Sequence, residues 1–110
     1  MQYCRENSFP RHTVNSLRDT QIKKGEAYLV VDDQDIIHLI KICKAKAWVI
    51  GTDVGLVSYN ENPLKEVILN GISVISCNFS LMADSMADFI KKQKAVQEVI
   101  PIEFISRLSL

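Results

Sequence analysis

The chain carries no excess charge of either sign. Thirteen basic residues meet thirteen acidic ones across 110 residues, for a formal net charge of zero. A nucleic-acid backbone requires a basic footprint, so any contact with DNA falls to a domain outside these residues. Cysteine is scarce too. Cys4, Cys43 and Cys77 are odd in number and widely spaced, with no Cys-x-x-Cys pair, which argues against a disulfide framework and against a zinc site. Buried thiols in a reducing cytoplasm are expected. No apolar run approaches membrane-spanning length, and the opening MQYCREN has no apolar segment of a secretion signal. A cytoplasmic location without a membrane partner follows as the expectation. Gly51 and Gly55 fall before and within a strand rather than at a helix start, so there is no phosphate-cradling loop. Internal repeats and low-complexity segments are missing as well.

What is present is ordinary in amount and informative in order. Apolar residues make up 47% and charged ones 24%, as in soluble globular domains, and the length suits one domain with a modest core. Apolar runs at residues 27–31 (AYLVV), 54–59 (VGLVSY) and 72–76 (ISVIS) have strand length. Their continuity predicts parallel strands covered on both faces. Between the first two, from about residue 34 to residue 47, Ile36, Ile40, Cys43 and Ala47 recur at helical spacing while Gln34, His38 and Lys41 take another face. Gly51-Thr52-Asp53 makes the turn into the second run. Asn62 and Pro63 predict the cap and first position of a short helix that Asn70-Gly71 ends. A third helix is expected over residues 80–94. There Met82, Met86 and Phe89 form one stripe and Ala83, Ala87 and Ile90 an adjacent one, a wide apolar arc that predicts substantial cover. The tail, residues 99–110, reads as a broken extended segment in which Pro101 favours an edge or bend. At the front, residues 13–17 are expected as a further strand and residues 19–23 as a short helix. The alternation predicts an α/β fold with a mainly parallel sheet, flanking helices and right-handed crossovers.

The run Tyr28-Leu29-Val30-Val31-Asp32-Asp33 resembles the opening of a phosphate-accepting receiver domain, with an acid pair at a strand end. The next strand end holds Asn60 where a receiver needs its phospho-acceptor aspartate. An amide is a far poorer nucleophile than a carboxylate, and no strand-end lysine follows, so phosphotransfer is rejected. A degenerate receiver-like interaction module stays as the alternative reading. Aspartate is a preferred N-cap, and Asp32 with Asp35 has capping-box spacing. Capping accounts for one aspartate of the pair. The second, held near a like charge at one helix start, would find work with a ligand's hydroxyl donors.

Neither His12 nor His38 has a catalytic neighbour in the sequence, and Ser58 lacks the glycine-flanked elbow of a hydrolase. No catalytic constellation emerges, so neither an enzyme nor a cofactor is expected.

From the acid pair onward the chain resembles the effector-sensing domains of bacterial transcriptional repressors. These are periplasmic-binding-protein-like domains of the lac-repressor type, also found fused to winged-helix regulators of the GntR class. Gly51-Thr52-Asp53-Val54-Gly55-Leu56-Val57-Ser58-Tyr59-Asn60-Glu61-Asn62-Pro63-Leu64 is similar to that family's connection into a strand and a proline-started helix. Ile72-Ser73-Val74-Ile75 matches its short strand, Met82-Ala83 its next helix, and Arg107-Leu108-Ser109 its Arg-x-Ser terminus. The resemblance runs over roughly residues 25–110 in order. It implies a partial type I periplasmic-binding-protein-like subdomain and a small-molecule effector, a sugar or related metabolite. It also implies DNA engaged only through an absent N-terminal domain; a lone copy, with the wide apolar face of the helix at 80–94 open, is expected to form a homodimer, swap or refold that helix.

In open α/β sheets ligands bind beyond the carboxyl ends of strands. The resemblance places Asp32, Asp33 and Asn60 there, flanked by Tyr59 and Glu61. Where the family has asparagine first and aspartate second, this chain has them exchanged; one acceptor and one amide still suit neighbouring hydroxyls. Tyr59 also reads as a packed aromatic, and Glu61 as a solvated loop residue. The chain as a whole, residues 1–110, is expected to be one fragment of such a sensor. Its helix at 80–94 would belong to the other, absent subdomain.

Overall fold

A computed structural model describes residues 5–8, 10–93 and 99–110. Four strands form one sheet in chain order: β1 (Ala27–Val30), β2 (Gly55–Tyr59), β3 (Ser73–Cys77) and β4 (Ile102–Ile105). The first three run parallel, with Val30 opposite Ser58 and Tyr59 opposite Ile75, and β4 returns antiparallel. The α/β class and the mainly parallel sheet therefore stand, with flanking helices. Pro101 stands immediately before β4, an edge strand, where proline is tolerated.

Helix α1 (Asp33–Ala45) follows β1. Its buried residues are Asp35, Ile36, Leu39 and Cys43, an i, i+3, i+7 stripe with one polar member. Ala47 is not part of that stripe: it lies past the helix end, exposed, at φ 55°. Helix α2 (Pro63–Val67) is capped by Asn62, whose side chain accepts from the Lys65 amide, and Pro63 stands at its first turn. A tight 3-10 turn over Ile68–Asn70 brings the chain round into β3, with Leu69, Asn70 and Gly71 all at positive φ.

In strand order 1-2-3 both connections lie on one face of the sheet, since residues of α1 and of the turn after α2 share one core cluster. The core sits there: Val30, Leu56 and Ile72 from the sheet side pack with Ile36, Leu39 and Cys43, and Ile68 and Leu69 join the same cluster. Among the described residues no helix lies on the other face, so the expected two-sided cover is half fulfilled. In β2 burial alternates, Leu56 and Ser58 in, Val57 and Tyr59 half out, which is the signature of a one-sided sheet.

Helix α3 (Phe79–Lys92) starts one residue beyond β3, capped by the Asn78 side chain on the Leu81 amide. It buries none of its residues, so among the described residues the wide apolar arc lacks the expected cover. The expected end at Lys94 lies outside the described residues. At the front, no strand forms over residues 13–17, and the helical turn comes earlier than expected, at Leu17–Asp19. The Ser16 hydroxyl caps that turn by accepting from Arg18, and Leu17 and Ile22 drop into the core.

The tail closes the far end of the sheet. Ser109 donates to the Leu56 carbonyl at 2.6 Å and accepts from the Ser73 amide at 2.7 Å. Gly51, at φ 96°, lies so close to this tail that a Cβ would meet the Leu108 carbonyl oxygen at 1.9 Å. Only glycine fits there.

Candidate functional site

Parallel pairing of β1 with β2 brings their carboxyl ends side by side, about 4.8 Å apart. Asp32 stands at the first tip and Asn60 at the second, both exposed. They share one end of the sheet.

The acidic cluster at the start of α1 is resolved residue by residue. Asp32 is the N-cap: one carboxylate oxygen accepts from the Gln34 amide at 2.8 Å. The capping box does not form, because Asp35 turns away to accept from the Ser16 hydroxyl at 2.8 Å and the Leu17 amide at 3.2 Å. That tie carries the N-terminal segment onto α1. Asp33 ion-pairs with Lys65 Nζ at 3.3 Å. A protein cation thus occupies the carboxylate for which the sequence suggested a ligand.

Lys65 is the residue that sequence reasoning overlooked. It is 5% exposed, and its ammonium donates to the Asn60 carbonyl at 2.8 Å and the Tyr59 carbonyl at 3.2 Å, besides pairing with Asp33. Two carbonyl acceptors and one carboxylate surround the ammonium, which is what burying a lysine requires. The cation therefore joins α2, the β2 tip and α1 at one point. It also holds the backbone at Asn60, which sits left-handed at φ 66° and donates its amide to the Ile75 carbonyl at 2.8 Å. One signal was legible: a lysine at the third position of a helix gains nothing from the helix dipole, so it needs another partner.

Tyr59 is half-buried on the open side of β2. Glu61 is no solvated loop residue. Its carboxylate pairs with the Arg107 guanidinium, its amide donates to the Ser76 hydroxyl at 3.0 Å, and it accepts from the Asn62 amide at 3.0 Å. Arg107 also donates to the Ile72 carbonyl at 2.8 Å, and the Glu61 hydrogen bond pushes its pKa above the ordinary guanidinium range. Three segments far apart in the chain, around Glu61, Ile72 and Arg107, are thereby tied into one polar cluster.

A shallow hollow of about 170 Å³ beside the β1 tip is lined by Val14, Leu29, Val31, Asp32 and Asp35 among others. Asp33, Tyr59, Asn60 and Glu61 do not line it. It is smaller than the roughly 300–1,000 Å³ of small-molecule pockets, so the tips make one wall rather than an enclosure. Among the described residues no cluster of three or more His, Cys, Asp or Glu is placed to hold a metal ion, and no helix is long and apolar enough to cross a membrane. No family model matches this sequence, and no curated protein matches it.

Proposed function

We propose that this chain is the effector-sensing portion of a bacterial transcriptional regulator, periplasmic-binding-protein-like, working in the cytoplasm. Its effector is a small polar molecule, a sugar or related metabolite, met by Asp32 and Asn60. DNA is engaged through another domain. The observation that carries this reading is the juxtaposition of a carboxylate and a carboxamide at adjoining tips of two parallel strands, with Lys65 pinning the second tip. Capping uses one oxygen of Asp32 and leaves acceptor capacity for a hydroxyl. The Asn60 side chain both donates and accepts. Paired with Lys65, Asp33 supports the tip rather than facing the effector, and Glu61 anchors the loop through Arg107.

The test is a titration of the ¹⁵N-labelled chain with neutral pentoses and hexoses. One wall of a site should bind on the order of 1 mM, about 4 kcal/mol of binding free energy. The Gln34 and Asn60 amide signals should shift with at least one sugar, and Asp32→Asn should abolish the shift while leaving the fold intact. A panel in which no sugar moves those signals would overturn the reading.

A further inference from the structure

Among the described residues two large apolar surfaces lack cover, and they are of complementary kinds. One is the face of the sheet opposite the core, where Leu29, Val31, Ile102 and Phe104 are 55%, 72%, 62% and 55% exposed around half-buried Val57 and Ile75. The other is α3, whose Phe79, Met82, Met86 and Phe89 follow one another at steps of three, four and three along one stripe, all exposed. A bare sheet face and a bare amphipathic helix are the two halves of a helix-on-sheet layer.

We propose that the two surfaces cover each other between copies: α3 of one chain lies on the open sheet face of a second, and the exchange is reciprocal. The proposal stands independently of the effector reading. Three observations select a second copy over the chain's own sheet. First, a single residue, Asn78, separates Cys77 of β3 from Phe79 of α3. A helix leaving a strand so directly has no slack with which to reverse onto that strand's own sheet; typical strand-to-helix loops take about two to six residues. Second, Asn78 is held at both ends of its side chain, accepting from the Leu81 amide at 2.9 Å and donating to Glu103 of β4 at 2.9 Å, which fixes the outward departure. Third, the areas suffice. Each face presents roughly 500 Å² of apolar surface, taking large side chains at about 150–250 Å² each, so reciprocal exchange buries on the order of 2,000 Å² in total. That is the scale of a stable homodimer. Fourteen helical residues span about 21 Å, enough to cross four strands about 14 Å wide.

An isologous exchange closes on itself, since each copy gives one helix and receives one. Asp84 and Asp88, absent from the stripe, stay in water.

Sedimentation of the whole chain over a concentration series tests this with one lesion on each surface, Phe89→Lys on the helix and Phe104→Lys on the sheet. Wild type should be dimeric in the micromolar range, and each variant should weaken the dimer at least about tenfold. An equimolar mixture of the two variants should then associate better than either alone. In the mixed dimer one sound helix meets one sound sheet face, and both lesions fall in the other seat. A monomeric wild type, or dissociation by the helix lesion but not the sheet lesion, would overturn the proposal, the latter pointing to helix–helix pairing. No recovery on mixing would also overturn it. Met86→Lys serves as the helix lesion if Phe89→Lys fails to fold.

Discussion

Helices α1 and α3 are nearly the same length, and α3 is the more amphipathic of the two, yet they end in opposite circumstances. Four of the thirteen residues of α1 are buried, with Leu39 fully sealed; none of the fourteen in α3 is. The difference does not lie in the helices themselves. Helix α1 is a crossover between paired strands, so the chain on either side pulls it onto the sheet. Helix α3 leaves its strand through one residue and is returned by β4 from the other direction. Amphipathicity states which face wants cover, and connectivity decides whether the same chain supplies it.

Truncating one residue from each stripe sharpens the contrast most. Leu39→Ala removes atoms from a closed core and should cost about 2–5 kcal/mol. Met86→Ala, measured in dilute solution where the chain is a monomer, should stay within about 0.5 kcal/mol, since the side chain is already in water. Urea denaturation of both variants checks this. Equal costs would mean that α3 has cover within its own chain. Next in size is Gly51→Ala on the covered side. A methyl group 1.9 Å from the Leu108 carbonyl oxygen, at a backbone φ of 96°, should cost at least about 1–3 kcal/mol and loosen the tail. Hydrogen exchange at the Leu56 and Ser73 amides, both bonded to Ser109, reads that loosening directly.

The same contrast sorts what could be read from the sequence. Strands β1 to β3, the Asn62-Pro63 start of α2 and the turn at Gly51 were legible because each rests on local chemistry: apolar runs of strand length, a capping amide, a residue free to take positive φ. The one-sidedness of the sheet was not, because Leu29 and Val31 look the same in sequence whether or not a helix lies over them. Residues 13–17 were misread as a strand for a related reason: Leu17 is apolar because it fills the core beside α1, not because it pairs. At the site, the strand-tip positions of Asp32 and Asn60 followed from the pattern. The partners of Asp33, Asp35 and Glu61 did not, since each lies on a segment distant in sequence: Lys65, Ser16 and Arg107.

Lys65 offers a smaller test on the covered side. Lys65→Met keeps the buried stem and removes two hydrogen bonds and an ion pair, so the Tyr59 and Asn60 carbonyls lose a donor at a cost of about 1–3 kcal/mol. Asp33→Asn should cost less, because Asp33 is largely exposed and ion pairs in water contribute about 0–1 kcal/mol. Thermal melts rank the two. If Lys65 chiefly holds the β2 tip, its loss should also move the Asn60 Cα shift away from the left-handed value, which the Asp33 variant should leave in place.

The smallest effect separates two thiols on opposite sides of the sheet. Cys43 is buried on α1, and that burial raises its pKa above the ordinary thiol value; Cys77 is half-buried, on the uncovered side. In a Cys4→Ser background, iodoacetamide should therefore label Cys77 first, with Cys43 reacting only as the domain opens. The sign of the pH dependence follows from the same shift. The folded chain holds the Cys43 proton more tightly than the unfolded chain does. The resulting stability is thus complete below the unfolded thiol value of about 8.5 and declines as pH rises through the folded one. Melts from pH 7 to pH 10 should fall more gently in Cys43→Ala once that variant's lower starting point is subtracted. Fast labelling of Cys43 at neutral pH would instead place α1 on the same footing as α3 and dissolve the distinction between a covered and an uncovered helix.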